Sequence, residues 1–481
     1  MREAPMLPVS PRAVRMPAVR PLATALLAAW LAGCSFVPTY QRPEAPVAEQ
    51  FPNAPTVGKG AVPAADLPWQ DFVQDARLRT LIARALDGNR DLRVATLAIE
   101  QARAQYRIRG ADRTPTINLA AGANRQPAAN GSGGIQSTYT AGVALASWEI
   151  DFFGRIASLE EAALAQYFAT EEARNAVQTS LVAALANAWL SLQTNDALLA
   201  LAQRTLATRE DSLRLTRLRF DEGVSSALDL RQAESLTAAA RAAIAQQRRL
   251  RALDVNALTL LSGGPLPEDL LRTDGEPLAA FTEVPAGLPS DLLTRRPDVL
   301  QAEQQLRSAN ANIGAARAAF FPRIALTASA GSASGALSGL FKDGSWGWTF
   351  APQALLPIFD GGRNQANLDA ALAGRQVAVA QYEKAIQTAF REVADALAGR
   401  AALSDQLEAA RAQARAEAER LRLADLRYKN GVASYLDVLD AQRSLFATEQ
   451  SVAQIALARQ QAEVALYKAL GGGWQGAPAA S

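Results

Sequence analysis

Residues 139–162 read YTAGVALASWEIDFFGRIASLEEA, and the spacing of their apolar residues changes part-way along. Up to Trp148, Tyr139, Ala141, Val143 and Leu145 share one face and alternate with small or polar neighbours, the period-two pattern of a β-strand. Past Gly154 the alternation stops, and a tract of 68 residues reaches Gly223 with neither glycine nor proline. A strand therefore hands over to a helix near Gly154. Upstream, Ile117, Leu119, Ala121 and Ala123 alternate with Asn118, Ala120, Gly122 and Asn124, and Asn130-Gly131-Ser132-Gly133-Gly134 separates the two runs. The pattern predicts a β-hairpin over about residues 114–148, with strands of about ten residues that have one apolar face. Such strands suit a transmembrane barrel. A soluble two-hairpin sheet is the other reading.

The tract that follows predicts a helix over about residues 155–221, roughly 100 Å long at 1.5 Å per residue. No globular core holds a helix of that length. Glu160, Glu161, Glu171, Glu172, Arg174, Arg204, Arg209 and Glu210 interrupt its apolar residues, so it is not a membrane span. It reads as a rod laid against other helices, and its many alanines let neighbours approach closely. A partner helix is expected over about residues 226–262. Before the hairpin, Leu78, Leu81, Ile82 and Leu86 have helical spacing within a region running from about Asp75 to Arg109. A cytosolic filament rod is the competing reading, but it does not account for the interposed hairpin.

The whole pattern then recurs. Asp151-Phe152-Phe153-Gly154-Arg155 is answered by Phe359-Asp360-Gly361-Gly362-Arg363, Gly223-Val224 by Gly431-Val432, Leu228-Asp229 by Leu436-Asp437 and Gly263-Gly264 by Gly471-Gly472, all 208 residues apart. Upstream, Asp91, Ala102 and Pro115 match Asp298, Ala309 and Pro322 at a spacing of 207. A period this long belongs to a duplicated half rather than to a solenoid. The first repeat covers 75–264 and the second 298–473, with a proline-rich linker over 265–297 between them. In the second repeat a hairpin is expected at about 322–354, a long helix at about 363–430 and its partner at about 434–470. Trp346, Trp348 and Phe350 form an aromatic face on the last strand, as at a membrane boundary. Four strands are too few to close a barrel, and an open edge does not survive in lipid. Copies of the chain must therefore pool their strands.

The 481 residues are 49% hydrophobic but only 6% aromatic, which fits long alanine-rich helices. A net charge of +2 gives no sign of a nucleic-acid partner. At the N-terminus, Arg12, Arg15 and Arg20 precede an apolar run, Leu22 to Ala32, that is too short to span a bilayer. The sequence Leu31-Ala32-Gly33-Cys34 resembles a bacterial lipobox, so residues 1–33 read as a lipoprotein signal peptide and Cys34 as the acylated (diacylglycerol and palmitate) residue. An incidental cysteine after an ordinary leader is the alternative. Four arginines and one glutamate leave with the leader, so the mature chain would carry 45 basic and 46 acidic residues. Cys34 is the only cysteine, and no internal disulfide is possible. Residues 34–74 hold Pro43, Pro46, Pro52, Pro55 and Pro63, and the stretch from Pro38 to Pro68 reads as an extended, non-helical strap. Residues 474–481 read as a flexible tail.

The run Leu288-Pro289-Ser290-Asp291-Leu292-Leu293-Thr294-Arg295-Arg296-Pro297-Asp298 resembles the TolC-like outer membrane factors, in their lipidated OprM/NodT-type branch. The lipobox, Gln101-Ala102, Glu303, Ala319-Phe320-Phe321-Pro322 and Tyr435-Leu436-Asp437-Val438-Leu439 agree with it, and the similarity covers essentially the whole mature chain. The resemblance implies a mixed α/β membrane protein. It would be a homotrimer whose 12-stranded outer-membrane β-barrel, four strands per chain, continues into a long periplasmic α-helical barrel. It implies the exit duct of a tripartite efflux system, fed by an inner-membrane RND-type transporter through a periplasmic adaptor. Localisation would be the outer membrane, lipid-anchored and extending into the periplasm.

The helix-to-helix turns should then form the periplasmic end. Gly223 and Gly431 are C-cap glycines. Ser226 with Asp229, and Ser434 with Asp437, have capping-box spacing, which is one sufficient reason for those aspartates. Asp440 lies one turn beyond Asp437 on the same face, so threefold symmetry would set up to six carboxylates around a narrow mouth and favour cations there. The resemblance implies that Asp437 and Asp440 are a constricting acidic ring and that Tyr428 with Asp229 links hairpins shut. A gate arginine of some relatives falls on Ala433, leaving closure to be shared with Leu436 and Leu439. Gly223, Val224 and Ser225, with Gly431, Val432 and Ser434, are small enough to dock an adaptor, although tight turns favour small residues in any case.

An enzyme is not expected, because the chain has no histidine and no nucleophile or phosphate-binding motif. All three methionines precede Cys34, so soft-metal ligands are missing and no metal or cofactor beyond the lipid is expected. The remaining rival is a structural or adhesive outer-membrane rod without an open channel.

Overall fold

The computed structural model describes residues 35–52, 63–127, 134–273 and 278–474. Cys34, the leader, most of the first hairpin tip, Pro55, Pro277 and all but the first residue of the expected C-terminal tail lie outside the described residues. The chain divides into two units. The first comprises residues up to 39 with 107–162 and 310–372, and the second comprises 40–106, 163–309 and 373–481.

The first unit is built on one antiparallel sheet of order β1-β2-β3-β4, with β1 Ile117–Pro127, β2 Ile135–Ile150, β3 Arg323–Ser334 and β4 Trp346–Leu355. β2 is 16 residues long, longer than the ten expected, because it pairs on both sides. Ile117 to Pro127 pair along it from Leu145 to Ile135, and β3 pairs with it from Tyr139 to Ile150. A bulge between Leu145 and Trp148 breaks that second register, and Ser147 there takes φ of 43°. Past the bulge, buried Glu149 accepts from Arg155 at 2.8 Å and pairs with Arg323 at 2.6 Å, which ties the strand end to the start of the next helix. Gly142 lies opposite Gly331, and a Cβ on Gly142 would come within 2.4 Å of the Ala330 carbonyl oxygen. No side chain fits there. β1 and β4 are the sheet edges, exposed along their whole lengths, and Trp346, Trp348 and Phe350 stand exposed on one face of β4. Among the described residues the outer backbone groups of β1 and β4 have no strand partner within the chain.

The second unit is helical. The short helices of the chain are α1 Ala76–Gly88 and α2 Arg90–Ala111, and its long pairs are α3 Arg155–Asp221 with α4 Ala227–Leu261 and α6 Arg363–Lys429 with α7 Tyr435–Ala469. α5 Pro297–Ala318 comes between the pairs in chain order, and α2, α3, α5 and α6 each have one end in the first unit. α3 and α6 are each 67 residues and α4 and α7 each 35. α2 and α5 are each 22 residues. The two halves thus carry these helices in equal order and length, whereas α1 is answered in the second half only by a single helical turn, Leu292–Arg295. The region expected as one helix from Asp75 to Arg109 is broken at Asn89. Its backbone turns extended, its Oδ1 caps α2 by accepting from the Leu92 N–H at 2.9 Å, and its Nδ2 donates to the Leu261 carbonyl at 2.9 Å. The core gathers Leu78, Leu81 and Ile82 of α1, Leu185, Trp189 and Leu190 of α3, and Tyr382 and Ile386 of α6. Trp189 is 1% exposed and donates its Nε1–H to Asp75 at 3.0 Å, while Asp75 also caps α1.

The N-terminal strap has no helix or strand over residues 40–46, and Tyr40 and Arg42 both donate to the buried Glu303 of α5 at 3.1 and 2.8 Å. Burial, with Glu303 beside it, pushes the Tyr40 hydroxyl up to about 12. The expectation of no helix before residue 75 is corrected at two places. A 3-10 turn covers Ala64–Asp66 and a single helical turn covers Trp69–Phe72, each directly after a proline whose φ near −60° already suits a helix start. The linker contributes a bridge between Phe281 and Val73 and 3-10 turns at Glu268–Leu271 and Pro289–Asp291. Among the described residues no helix is long and apolar enough to cross a membrane.

Candidate functional site

The residues singled out from sequence gather at the two turns that join the long helices, in the second unit. Both turns close by the same backbone device. Gly223 has φ of 72° and Gly431 of 76°, a conformation only glycine adopts freely. The Gly223 N–H donates to the Phe220 carbonyl at 2.9 Å and the Val224 N–H to that of Arg219 at 2.7 Å. Gly431 and Val432 repeat this on Tyr428 and Arg427 at 2.9 and 3.0 Å. These paired bonds satisfy carbonyls that a helix end leaves open. Val224 and Val432 then project at 67% and 66% exposure.

Beyond the glycines the two turns differ. Ser226 caps α4 with a full capping box: its Oγ accepts from the Asp229 N–H at 3.1 Å, and Asp229 Oδ2 accepts from the Ser226 N–H at 3.2 Å. Asp229 Oδ2 also accepts from the Ser226 and Ser225 hydroxyls at 2.8 and 3.2 Å, and the Ser226 bond above all holds this carboxylate below the usual range. Ser434 makes no side-chain cap bond, so the capping box expected at the second turn is absent. The position matching Ser225 is Ala433, so Asp437 lacks the extra hydroxyl that helps to hold Asp229. Asp437 is exposed, and among the described residues its carboxylate has no hydrogen-bond or ion-pair partner.

Asp440 does not stand free beside it. Arg420 of α6 donates to Asp440 Oδ2 at 2.6 Å and Arg443 of α7 to Oδ1. The Arg420 bond, with Arg443 adding to it, holds Asp440 below the usual carboxylate range, and the same bond raises the Arg420 guanidinium. The first pair of helices carries a parallel stitch, in which Glu234 accepts from Arg217 and Arg231, each at 2.7 Å. Tyr428 is not hydrogen-bonded to Asp229 within the chain. Its hydroxyl accepts from Arg219, whose guanidinium also lies 5.3 Å from the Tyr428 ring centroid, and Tyr435 packs against the same ring at 4.9 Å. Leu436 is exposed, whereas Leu439 is 4% exposed and packed inside the protomer.

The geometry therefore leaves Asp437 unpartnered at the second turn, above a neutralised Asp440, and leaves Asp221 and Glu222 unpartnered at the first, among the described residues. Among the described residues no group of three acidic, histidine or cysteine side chains converges to hold a metal. Sequence reading did not single out Arg219, Arg217, Arg420, Arg443 or Glu234. Arg443 and Arg231 were open to it, since each sits three residues from its carboxylate on one helix face. Arg219, Arg217 and Arg420 reach across from another helix, which no spacing reveals.

The model of the family described as "Outer membrane efflux protein" matches the chain twice, at residues 81–264 and 288–472. The chain is 47% identical over 464 residues to the probable efflux pump outer membrane protein TtgC of Pseudomonas putida, covering 94% of this chain and 95% of that one. To the outer membrane protein OprJ of Pseudomonas aeruginosa it is 48% identical over 456 residues, covering 93% and 95%. Among solved structures, the open state of the Neisseria gonorrhoeae MtrE outer membrane channel superposes with a TM-score of 0.84 at 42% identity, covering 92% of this chain and 99% of that one.

Proposed function

We propose, from the premise that this chain belongs to the outer membrane efflux protein family and is not an enzyme, that it is the outer-membrane exit duct of a tripartite efflux pump. It would conduct small molecules passively from an inner-membrane RND-type transporter and a periplasmic adaptor to the outside. The observation that carries this reading is the four-stranded sheet with two unpaired edges and exposed apolar residues. In lipid those edges must be paired. Three chains, each setting β4 against β1 of the next, would close a 12-stranded barrel with cyclic symmetry. The equal lengths of α3 and α6, and of α4 and α7, then give six near-equivalent helical hairpins per trimer, as expected of a duplicated half. The relatives give no support to a structural or adhesive rod without a channel.

Acylation of Cys34 would anchor the strap that Tyr40 and Arg42 fasten to Glu303. The turns with protruding Val224 and Val432 are the surface offered to the adaptor. In the closed mouth Asp437 of each chain would form the acidic ring, with Leu436 beside it. Asp440 would act by binding Arg420 and Arg443, so the ring has three free carboxylates rather than six. The purified full-length protein is tested in planar bilayers, with its mass in detergent measured alongside. Discrete cation-preferring conductance from a species of three chains is expected. A monomeric species, or one that leaves the bilayer electrically silent under all conditions, would refute the reading.

A further inference from the structure

Arg209 lies on α3, and its guanidinium belongs to a residue only 3% exposed. It has no carboxylate partner among the described residues. Its Nη1 donates to the Leu236 carbonyl of α4 at 2.8 Å, its guanidinium sits 5.2 Å from the centroid of Phe446 on α7, and its Nε–H has no acceptor. One cation thus touches three helices. It lines a cavity of about 150 Å³ together with Arg204, Thr208, Gln442, Phe446 and Glu449. The Gln442 Oε1 is likewise buried without a partner. Glu449 stands three residues beyond Phe446, on the same face of α7; Arg204 acts on it across the cavity, but among the described residues it forms no ion pair within 4 Å.

At the matching positions of the other half the charges are paired. The position 208 residues beyond Arg209 is Glu417, which pairs with Arg420 at 3.2 Å, and the position 208 residues before Glu449 is Arg241, which pairs with Glu210 at 2.8 Å. The separated Arg209 and Glu449 therefore depart from the repeat. Burying a guanidinium without a carboxylate is costly, and removing that cost needs only the acid already facing the same cavity. The two positions differ by three residues along α7, roughly 4.5 Å of rise. Long side chains that line one cavity can span that distance, so the guanidinium has a second seat within reach.

We propose that Arg209 is a positioning residue for opening the duct, with two stations on α7. In the arrangement described here it rests on Phe446 and the Leu236 carbonyl. In the open arrangement its guanidinium has left the Phe446 ring and pairs with Glu449 across the same cavity, re-seating α7 against α3 near the Asp437 end. This rests on the channel reading above.

The test uses full-length protein in planar bilayers and compares the fraction of time spent open. Glu449→Gln, which keeps the shape and removes the charge, should cut the open time at least three-fold. Arg209→Lys, which keeps a cation able to reach Glu449, should stay within two-fold of the unsubstituted protein. Arg209→Met should make the further change Glu449→Gln silent. The proposal fails if Glu449→Gln opens as often as the unsubstituted protein or more often, or if its effect is undiminished beside Arg209→Met. Should Arg209→Met not assemble, the Glu449→Gln and Arg209→Lys results decide alone. Absence of conductance in the unsubstituted protein would count against the channel reading instead.

Discussion

Ser226→Ala and Ser434→Ala are the same substitution at matching positions of the two halves, yet the structure predicts different outcomes. Ser226 Oγ accepts from the Asp229 N–H at 3.1 Å and donates to Asp229 Oδ2 at 2.8 Å. Removing it strips the first turn of α4 of a helix-capping acceptor, which costs about 1 kcal/mol. Part of the box survives, since Asp229 keeps the Ser226 N–H at 3.2 Å and the Ser225 hydroxyl at 3.2 Å. At about 1.4 kcal/mol per tenfold, the first turn of α4 should open roughly five times as often. Ser434 makes no side-chain cap bond, so Ser434→Ala should leave the first turn of α7 within about a factor of two. Hydrogen–deuterium exchange read by mass spectrometry over residues 224–232 and 432–440 measures both turns in one protein. Equal acceleration at both, or none over 224–232 in Ser226→Ala, would refute the claim that the halves are capped differently.

Other expectations follow from individual contacts. Asp437→Asn should weaken block by divalent cations in planar bilayers, whereas Asp440→Asn, which frees Arg420 and Arg443 from their shared carboxylate, should chiefly raise conductance by loosening α6 from α7. The double change to alanine should do both, and identical effects of the two single changes would oppose the division of roles. Gly142→Val places carbon within 2.4 Å of the Ala330 carbonyl oxygen, so β2 and β3 should separate and the sheet fail to form, as read by loss of heat-resistant oligomer on gels. Trp189→Ala removes the largest fully buried side chain and leaves Asp75 without its indole donor, a loss of about 3–5 kcal/mol visible as a lower denaturant midpoint. Acidification should preserve the Asp440 stitch to lower pH than an ordinary carboxylate pair. Its ionised form is favoured in the fold, so its contribution is complete above the unfolded pKa and fades only as pH falls through the depressed folded one. Spectroscopic titration of a Tyr435→Trp variant, which reports this end of α7, would show the order in which the contacts go.

How much was legible depended on the range of the interaction. The change from period two to a glycine- and proline-free tract at Gly154 is local, and it marks where β2 ends and α3 begins. The bends at Gly223 and Gly431 are equally local, because a positive φ demands glycine whatever the surroundings. Asn89 sits inside a helical pattern and breaks it by capping α2 locally, while its amide adds a bond to the Leu261 carbonyl 172 residues away that no local pattern reveals. The length of β2 depended likewise on a second strand far along the chain.

The sequence by itself therefore determined the elements, their repetition at 208 residues and the unpaired strand edges that call for further copies, since these rest on backbone geometry and the spacing of neighbours. Tertiary structure alone decided which charges are paired between helices. Asp440 is neutralised by an arginine 20 residues earlier on another helix, whereas Asp229 is held by Ser225 and Ser226 beside it in the chain, and Ala433 stands where Ser225 would help Asp437. Arg209 is buried without an acid, though its helix neighbours are solvent-facing charges. A carboxylate's or guanidinium's electrostatic role is set by what lies within about 4 Å of it, and between packed helices that neighbour is supplied by a different stretch of chain.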